Sequence, residues 1–393
     1  MTIHISDLSK QNLKLLLNSV KYKGCIVTGG ECKAGCKYCY LRESRKAFPY
    51  IPLNIPFISK NDFKKAVLTA KKYKHMTVTL GDGLDLISSE PFIHPLIYEF
   101  IEELEASGFI DRISITTNGL YIEENKYTFL EKCKKIGWLI SCSSLSEEGR
   151  KKVVLTKKCD GLLDFLHFLH TTNWRSVYNI QLVIYELQYF VKDIGIIKNN
   201  FPKFLPSVYI RELAYNKFFS RKAKAIIDHC RKEFKKVLQY RSNNKISFFW
   251  DDTSLDDDFD LKYRFSSFRN TVNSFIRQIN LAIIHCVKNN FKAPLLCVPD
   301  SCFFVLPKVK DKIILPKLKK GYLRVENRTF GGNYKCYGLL FLDDFYHALK
   351  QAKLKDYDVV ILNGIFLNRD QYDLKRKHIS ELRGSFKIPF MIM

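Results

Sequence analysis

Cys25-Ile26-Val27-Thr28-Gly29-Gly30-Glu31-Cys32-Lys33-Ala34-Gly35-Cys36-Lys37-Tyr38-Cys39-Tyr40-Leu41-Arg42 is the stretch from which the rest of the chain is read. Residues 25–28 form a short apolar run of strand type. The run empties into two glycines and then three cysteines spaced C-x3-C-x2-C. With 12 cysteines in 393 residues, this spacing has about 0.01 expected chance occurrences. Three thiolates between Cys32 and Cys39 are one too few for a closed structural zinc site, which takes four. They suit a cubane [4Fe-4S] cluster that keeps one iron open. A partial zinc site completed from elsewhere in the chain, or a redox thiol group, is the alternative reading of the same residues.

Outward from this loop, the apolar pattern switches repeatedly between short strand-type runs and longer helical ones, the signature of a βαβα chain. Strands are expected at 25–28, 76–80, 112–117, 138–143, 178–185 and 208–213. Amphipathic helices are expected between them at 60–73, 93–106, 123–135, 161–170 and 187–198. Six strands joined by right-handed crossovers give an α/β fold, a partial (βα)6 TIM-like barrel, in which the loops after the strand ends hold the chemistry. The cysteine loop follows the first strand and stands at that end.

With Tyr38 between the second and third cysteines, the motif resembles the C-x3-C-x-Φ-C hallmark of the radical S-adenosylmethionine (SAM) superfamily, where Φ is aromatic. The resemblance covers roughly residues 20–215 and implies cluster ligation by Cys32, Cys36 and Cys39, with Tyr38 near the adenine of SAM. It also implies an open iron that binds the amino and carboxylate groups of SAM. One electron from a donor such as a flavodoxin or ferredoxin then cleaves SAM to methionine and a 5′-deoxyadenosyl radical that takes a substrate hydrogen. The family's second strand ends in a Gly-Gly-Glu-Pro-like motif, and here the second strand runs into Gly81-Asp82-Gly83, which lacks the Glu-Pro. The family's Thr-Asn-Gly is matched by Thr117-Asn118-Gly119 after the third strand. Ser143 after the fourth strand and Glu186 after the fifth are expected around the ribose or carboxylate of SAM. Around the cysteines the sequence is also similar to the spore-photoproduct-lyase group, although the same residues occur in peptide-modifying members.

The chain carries 64 Lys and Arg against 40 Asp and Glu, a formal charge of +24 that attracts phosphates, nucleic acid or acidic substrates. An apolar fraction of 46% excludes the disordered and low-complexity classes. Its longest apolar stretches fall short of the roughly 18 to 20 residues that a spanning helix needs, so no membrane span is expected. The N-terminus has no secretory pattern and the cysteines no disulfide framework; both point to a cytoplasmic protein.

A change of rhythm near residue 245 divides the chain into a barrel domain at 1–245 and an α+β domain at 246–393, with the acidic segment 251–260 at the boundary. The second part resembles no named family. Its Cys286, Cys297, Cys302 and Cys336 lack the close pairs of an auxiliary cluster or zinc domain and read as small core hydrophobes. Between residues 217 and 245, ten cations and a helical apolar stripe describe a helix with one buried and one cationic face. Such a face suits a nucleic-acid backbone, and equally a solvated surface. His167 and His170, three apart without companion ligands, read as surface or core residues. Three functions remain open: a radical SAM enzyme acting on nucleic acid, one acting on a peptide or protein, and a non-catalytic iron-sulfur nucleic-acid-binding protein.

Overall fold

The computed structural model describes residues 5–30, 32, 34–39, 42–43, 55–81, 89–155, 160–172, 177–211, 213, 217–244, 249–250, 267–299, 303, 306, 321–329, 331, 340–362, 364, 367, 371–373, 375 and 377–392. The chain forms two compact units, residues 1–213 with 219–250, and residues 214–218 with 251–393.

The first unit opens with helix α1 (Lys10–Lys23), which starts where the Ser9 hydroxyl accepts from the Asn12 N–H at 3.3 Å. Strands and helices then alternate: β1 (Cys25–Ile26), α2 (Lys60–Lys72), β2 (Thr77–Leu80), α3 (Ile97–Ala106), β3 (Arg112–Thr117), α4 (Tyr127–Lys132), β4 (Ile136–Ser143), α5 (Glu147–Val153), α6 (Asp160–Thr171), β5 (Val177–Val183), α7 (Leu187–Asn200), β6 (Val208–Arg211), α8 (Arg221–Asn244) and β7 (Phe249–Trp250). All seven strands pair in parallel in the order β1 to β7. The seventh strand, which the sequence reading does not include, adds to the edge of β6.

Sequential parallel order with right-handed crossovers keeps the helices on one face of the sheet. That face takes Val78, Leu80, Ile113, Ile115, Trp138, Ile140, Ile180 and Leu182, all buried. Trp138 packs there on Phe92 and Phe165 at ring distances of 6.0 and 4.9 Å. The alternate positions pair across strands as Thr79 with Ser114, Thr116 with Leu139 and Ser141 with Gln181, and these side chains are only half-buried. The strand period of two thus separates an apolar outer face from a mostly small and polar inner one.

The second unit contains α9 (Ser267–Lys288), β8 (Pro294–Pro299), β9 (Gly321–Val325), α10 (Leu342–Gln351), β10 (Val359–Leu362), α11 (Ile379–Ser385) and β11 (Phe390–Ile392). Its sheet has the order β11-β10-β8-β9, and every pair is parallel. The unit mixes helix and strand, as expected of an α+β domain, but no strand runs antiparallel within the described sheet. The cause is visible in β8 and β10, which are apolar at every position and buried on both faces. Ile276, Ile279 and Ile283 of α9 cover one face, and Phe345 and Leu349 of α10 with Leu382 of α11 cover the other. Strand order 2-1-3-4 is that of doubly wound sheets of the flavodoxin type.

Candidate functional site

The loop after β1 is fixed from three sides. Gly30 N–H donates to the Ile55 carbonyl at 2.8 Å and Ile58 N–H to the Thr28 carbonyl at 3.2 Å. The Lys37 and Leu155 N–H groups donate to the carbonyls of Val153 (2.9 Å) and Gly35 (3.2 Å) respectively, docking the cysteine loop on the end of α5. The Lys37 ammonium completes the dock by donating to the Lys151 and Lys152 carbonyls at 2.7 and 3.0 Å, the negative pole of that helix. Four residues past Cys39, the buried Glu43 carboxylate accepts from the Ser220 N–H at 2.8 Å and so ties the head of α8 to the same loop.

Each thiol of the triplet acts on its neighbours. Burial pushes the Cys36 thiol up to about 12, and the nearby Cys39 and Cys32 push in the same direction. A hydrogen bond from Tyr38 and the charge of Arg150 oppose this shift. Cys32 is likewise raised by burial, with Glu90 and Cys39 adding to it and Ala34 N–H and the Asn118 amide opposing. Sulfurs that raise one another's pKa are poorly ionised alone, and a cation held between them removes that penalty. The donor set therefore fits a three-thiolate metal group, although among the described residues no three His, Cys, Asp or Glu side chains already stand at ligand distance around one point.

Around the triplet stand the exits of β2, β3 and β4. Gly81 follows β2 with a φ of +94°, and a Cβ there would lie 2.6 Å from the Thr116 carbonyl oxygen, so the position admits only glycine without strain. Asp82 and Gly83 lie outside the described residues. The Ser89 N–H donates to the Gly81 carbonyl at 2.8 Å and so brings Glu90 and Pro91 to the β2 exit. Glu90 is buried and accepts from the Thr117 hydroxyl (2.6 Å) and the Asn118 N–H (2.7 Å); burial holds its carboxyl up at about 7. The sequence reading seeks the Glu-Pro immediately after β2 and misses this one, several residues further on. Asn118 folds its side-chain oxygen onto the Leu120 N–H at 2.9 Å.

At the end of β4 the pairing with β5 shifts register between Ser141 and Ser143. Ser143 takes a φ of +63° and turns its buried hydroxyl onto the Tyr38 hydroxyl, 2.7 Å away. Such irregularities re-aim a side chain beside a site. Arg150 of α5, which sequence reasoning also misses, is buried beneath this turn. Its Nη1 donates to the carbonyls of Cys142 (2.6 Å) and Ser144 (3.1 Å), and its Nε has no partner among the described residues. Asp193 of α7 holds the turn by accepting from the Ser144 hydroxyl and the N–H groups of Leu145 and Ser146 at 2.9 to 3.1 Å.

Tyr38 and Ser143 are thus brought together, and Asn118 stands beside Cys32. Glu186 is half-buried at the head of α7, where its carboxylate accepts from the Gln188 amide at 2.6 Å. Near it the His229 ring of α8 lies 4.6 Å from the Tyr185 ring, and Glu233 accepts from the Leu187 N–H at 3.0 Å. The first half of α8 therefore runs from the cysteine loop, where Glu43 holds Ser220, to the β5 exit, with Arg221, Lys222 and Lys232 exposed along it.

In the second unit, Cys286 and Cys297 are buried on opposite faces of the sheet, and Cys302 and Cys336 lie outside the described residues. The His170 ring packs against Phe201 and Phe204. No described helix is long and apolar enough to cross a membrane.

No family model matches the chain, and no curated protein does. Solved structures do. Streptococcus suis SuiB bound to S-adenosylmethionine is 13% identical over 59% of this chain and 50% of its own, with a TM-score of 0.39. SuiB bound to precursor peptide SuiA is 14% identical over 60% of this chain and 50% of its own, with a TM-score of 0.41. Hexahistidine-tagged anSMEcpe with bound AdoMet is 14% identical over 57% of this chain and 62% of its own, with a TM-score of 0.39. The chain spans half the length of the SuiB chains to which it is similar.

Proposed function

We propose that the chain is a radical SAM enzyme whose [4Fe-4S] cluster is held by Cys32, Cys36 and Cys39. The observation that carries the reading is the triplet itself, docked at the exit of a parallel sheet with Cys39 raising the pKa of both Cys32 and Cys36. When bound, the cluster supplies the electron that cleaves SAM to a 5′-deoxyadenosyl radical. The chain's own residues do the holding. The Arg150 Nε offers a charged donor to the SAM carboxylate. Glu90, buried between Thr117 and Asn118, offers negative charge to its ammonium. Tyr38 and Ser143 border the adenosine, the backbone at Gly81 faces the methionine end of SAM, and Glu186 stands further along the rim. A flavodoxin or ferredoxin is the electron donor that fits this chemistry.

The substrate favoured by the geometry is a nucleic acid. The first half of α8 ties the cysteine loop to the β5 exit, and its exposed cations offer a phosphate backbone a hold beside the place where the radical forms. A peptide is the second reading, since the residues around the cysteines also occur in peptide-modifying members. The SuiB and anSMEcpe structures hold, by their own descriptions, the precursor peptide SuiA and a Kp18Cys peptide.

Anaerobic reconstitution with iron and sulfide, followed by assay for 5′-deoxyadenosine, tests the enzyme reading. Wild-type protein should take up a cubane cluster and cleave SAM, and Cys32→Ala, Cys36→Ala and Cys39→Ala should lose both while keeping their helical content. Cleavage that survives in all three variants sinks the assignment. Adding an oligonucleotide or a peptide to the same assay separates the two substrates, because the true one raises turnover and takes up the hydrogen label.

A further inference from the structure

We propose that Glu43 is a positioning residue that couples α8 to the cysteine loop, so that a nucleic acid held along α8 and a cluster held by the cysteines tighten each other's binding. The proposal rests on the cluster and nucleic-acid readings above.

Glu43 holds both partners at once. Its Oε2 accepts from the Ser220 N–H at 2.8 Å, across 177 positions of sequence, and Ser220 is the residue whose hydroxyl caps α8. A carboxylate is favoured at that point, the positive pole of a 24-residue helix. On the loop side, the Glu43 Oε1 stands 3.6 Å from the Nε of exposed Arg42, and the Arg42 Nη2 donates to the Cys36 carbonyl at 3.1 Å. The Glu43 N–H donates to the Cys39 carbonyl at 3.1 Å, and the Cys39 N–H to the Cys36 carbonyl at 3.2 Å. One buried residue and its neighbour thus join the main chain at two of the three cysteines to the head of the cationic helix.

Coupling follows from what each ligand has to order. A cluster is bound only by a loop that brings its three cysteines together, and the bonds at Cys36 and Cys39 hold Glu43 against Ser220 in that arrangement. A phosphate backbone on exposed Arg221 and Lys222 needs the first turn of α8 fixed, and that turn frays unless its leading N–H groups find acceptors. Glu43 supplies one. Whichever ligand binds first therefore bears part of the ordering cost of the second, which is positive cooperativity without a second conformation. Linkage makes the effect reciprocal. Were Glu43 only a brace for the helix, its loss would loosen α8 equally with and without the cluster.

The test compares the full chain before and after anaerobic reconstitution with iron and sulfide, in the wild type and in Glu43→Ala. Hydrogen exchange at the head of α8, read by mass spectrometry, needs no nucleic acid and no turnover. Loading should slow exchange at Ala223 and Lys224 about fivefold or more in the wild type, and the slowing should vanish in Glu43→Ala. Fluorescence anisotropy with a labelled single-stranded oligonucleotide should show loading lowering the dissociation constant of the wild type by a similar factor, a gain that Glu43→Ala also loses. Exchange that is the same in loaded and apo wild type overturns the coupling. So does a loading effect that persists undiminished in Glu43→Ala. If Glu43→Ala takes up no cluster, Ser220→Pro, which removes the donor and leaves the bonds within the cysteine loop alone, takes its place, and a loading effect that survives there refutes the proposal. A loaded chain whose α8 head is protected but which binds no oligonucleotide refutes the nucleic-acid half. A wild-type chain that forms no cubane cluster, recognised by its missing absorption, takes the proposal down together with the cluster assignment.

Discussion

Arg150 is a charged side chain at a relative exposure of only 2%, with two carbonyls on one nitrogen and nothing described on another. A guanidinium placed so is held for a partner, because an idle buried donor costs about 1 to 3 kcal/mol. Arg150→Lys keeps the charge and loses the fork. It should raise the dissociation constant for SAM about tenfold or more, read by equilibrium dialysis against the loaded protein, with iron content unchanged. Equal affinity would remove Arg150 from the site. The residue is invisible in the sequence: in Glu147-Glu148-Gly149-Arg150-Lys151-Lys152 every side chain reads as surface, and only the fold decides which cation turns inward. The cysteines are legible for the opposite reason, since a spacing that metal geometry demands survives without knowledge of the fold. Glu90 lies between these cases. Its Glu-Pro stands in the text, but it comes several residues after the strand it serves, and only the Ser89 N–H on the Gly81 carbonyl brings it back.

At the scale of elements, β3 is legible to the residue, because its branched run Ile113-Ser114-Ile115-Thr116-Thr117 stops at an Asn-Gly turn. The short helix α5 is not, being seven residues long with a glycine inside. It is nonetheless the element to which the cysteine loop is docked. The cationic helix expected at 217–245 forms as α8, starting at Arg221 after the Ser220 hydroxyl accepts from the Ala223 N–H at 3.2 Å. What the sequence could not reveal is that its head is tied to the cysteine loop. Reversing Arg221, Lys222 and Lys232 to Glu should weaken binding of a single-stranded oligonucleotide and flatten its salt dependence, by a slope of about 0.7 for each phosphate no longer neutralised. SAM cleavage without substrate should stay as in the wild type. Fluorescence anisotropy across a salt series checks the first outcome, and an unchanged slope would turn attention to the peptide reading.

For the molecule as a whole, stability carries the mark of its buried carboxyls, and Asp193 is one that lies outside the proposed SAM contacts. Burial raises Asp193 from 3.8 to about 6, against the opposing bonds from Ser144, Ser146 and Leu145. The unfolded chain releases this proton at the lower value and the folded chain at the higher, so between them the folded state holds more protons. Its stability contribution therefore falls as pH rises through that window, by about 3 kcal/mol, and is level above it. Asp193→Asn keeps an acceptor for the turn and removes the titration. Urea unfolding at pH 4.5 and pH 7 should show the variant gaining on the wild type at the higher pH, and a constant difference would contradict the buried-acid account.

Of the nine described cysteines, Cys25, Cys133, Cys142, Cys230, Cys286 and Cys297 are buried, while Cys36 and Cys39 are half-buried and Cys32 keeps an exposed edge. This partition turns the protein into its own occupancy gauge. Alkylation of the native apo chain should mark the triplet ahead of the six others, with exposed Cys32 leading and Cys36 last of the three, since a thiol held near 12 offers little thiolate to the reagent. Metal loading should erase those marks together, and peptide mass spectrometry then counts loaded molecules from the ratio of blocked to modified peptide, without any assay of turnover.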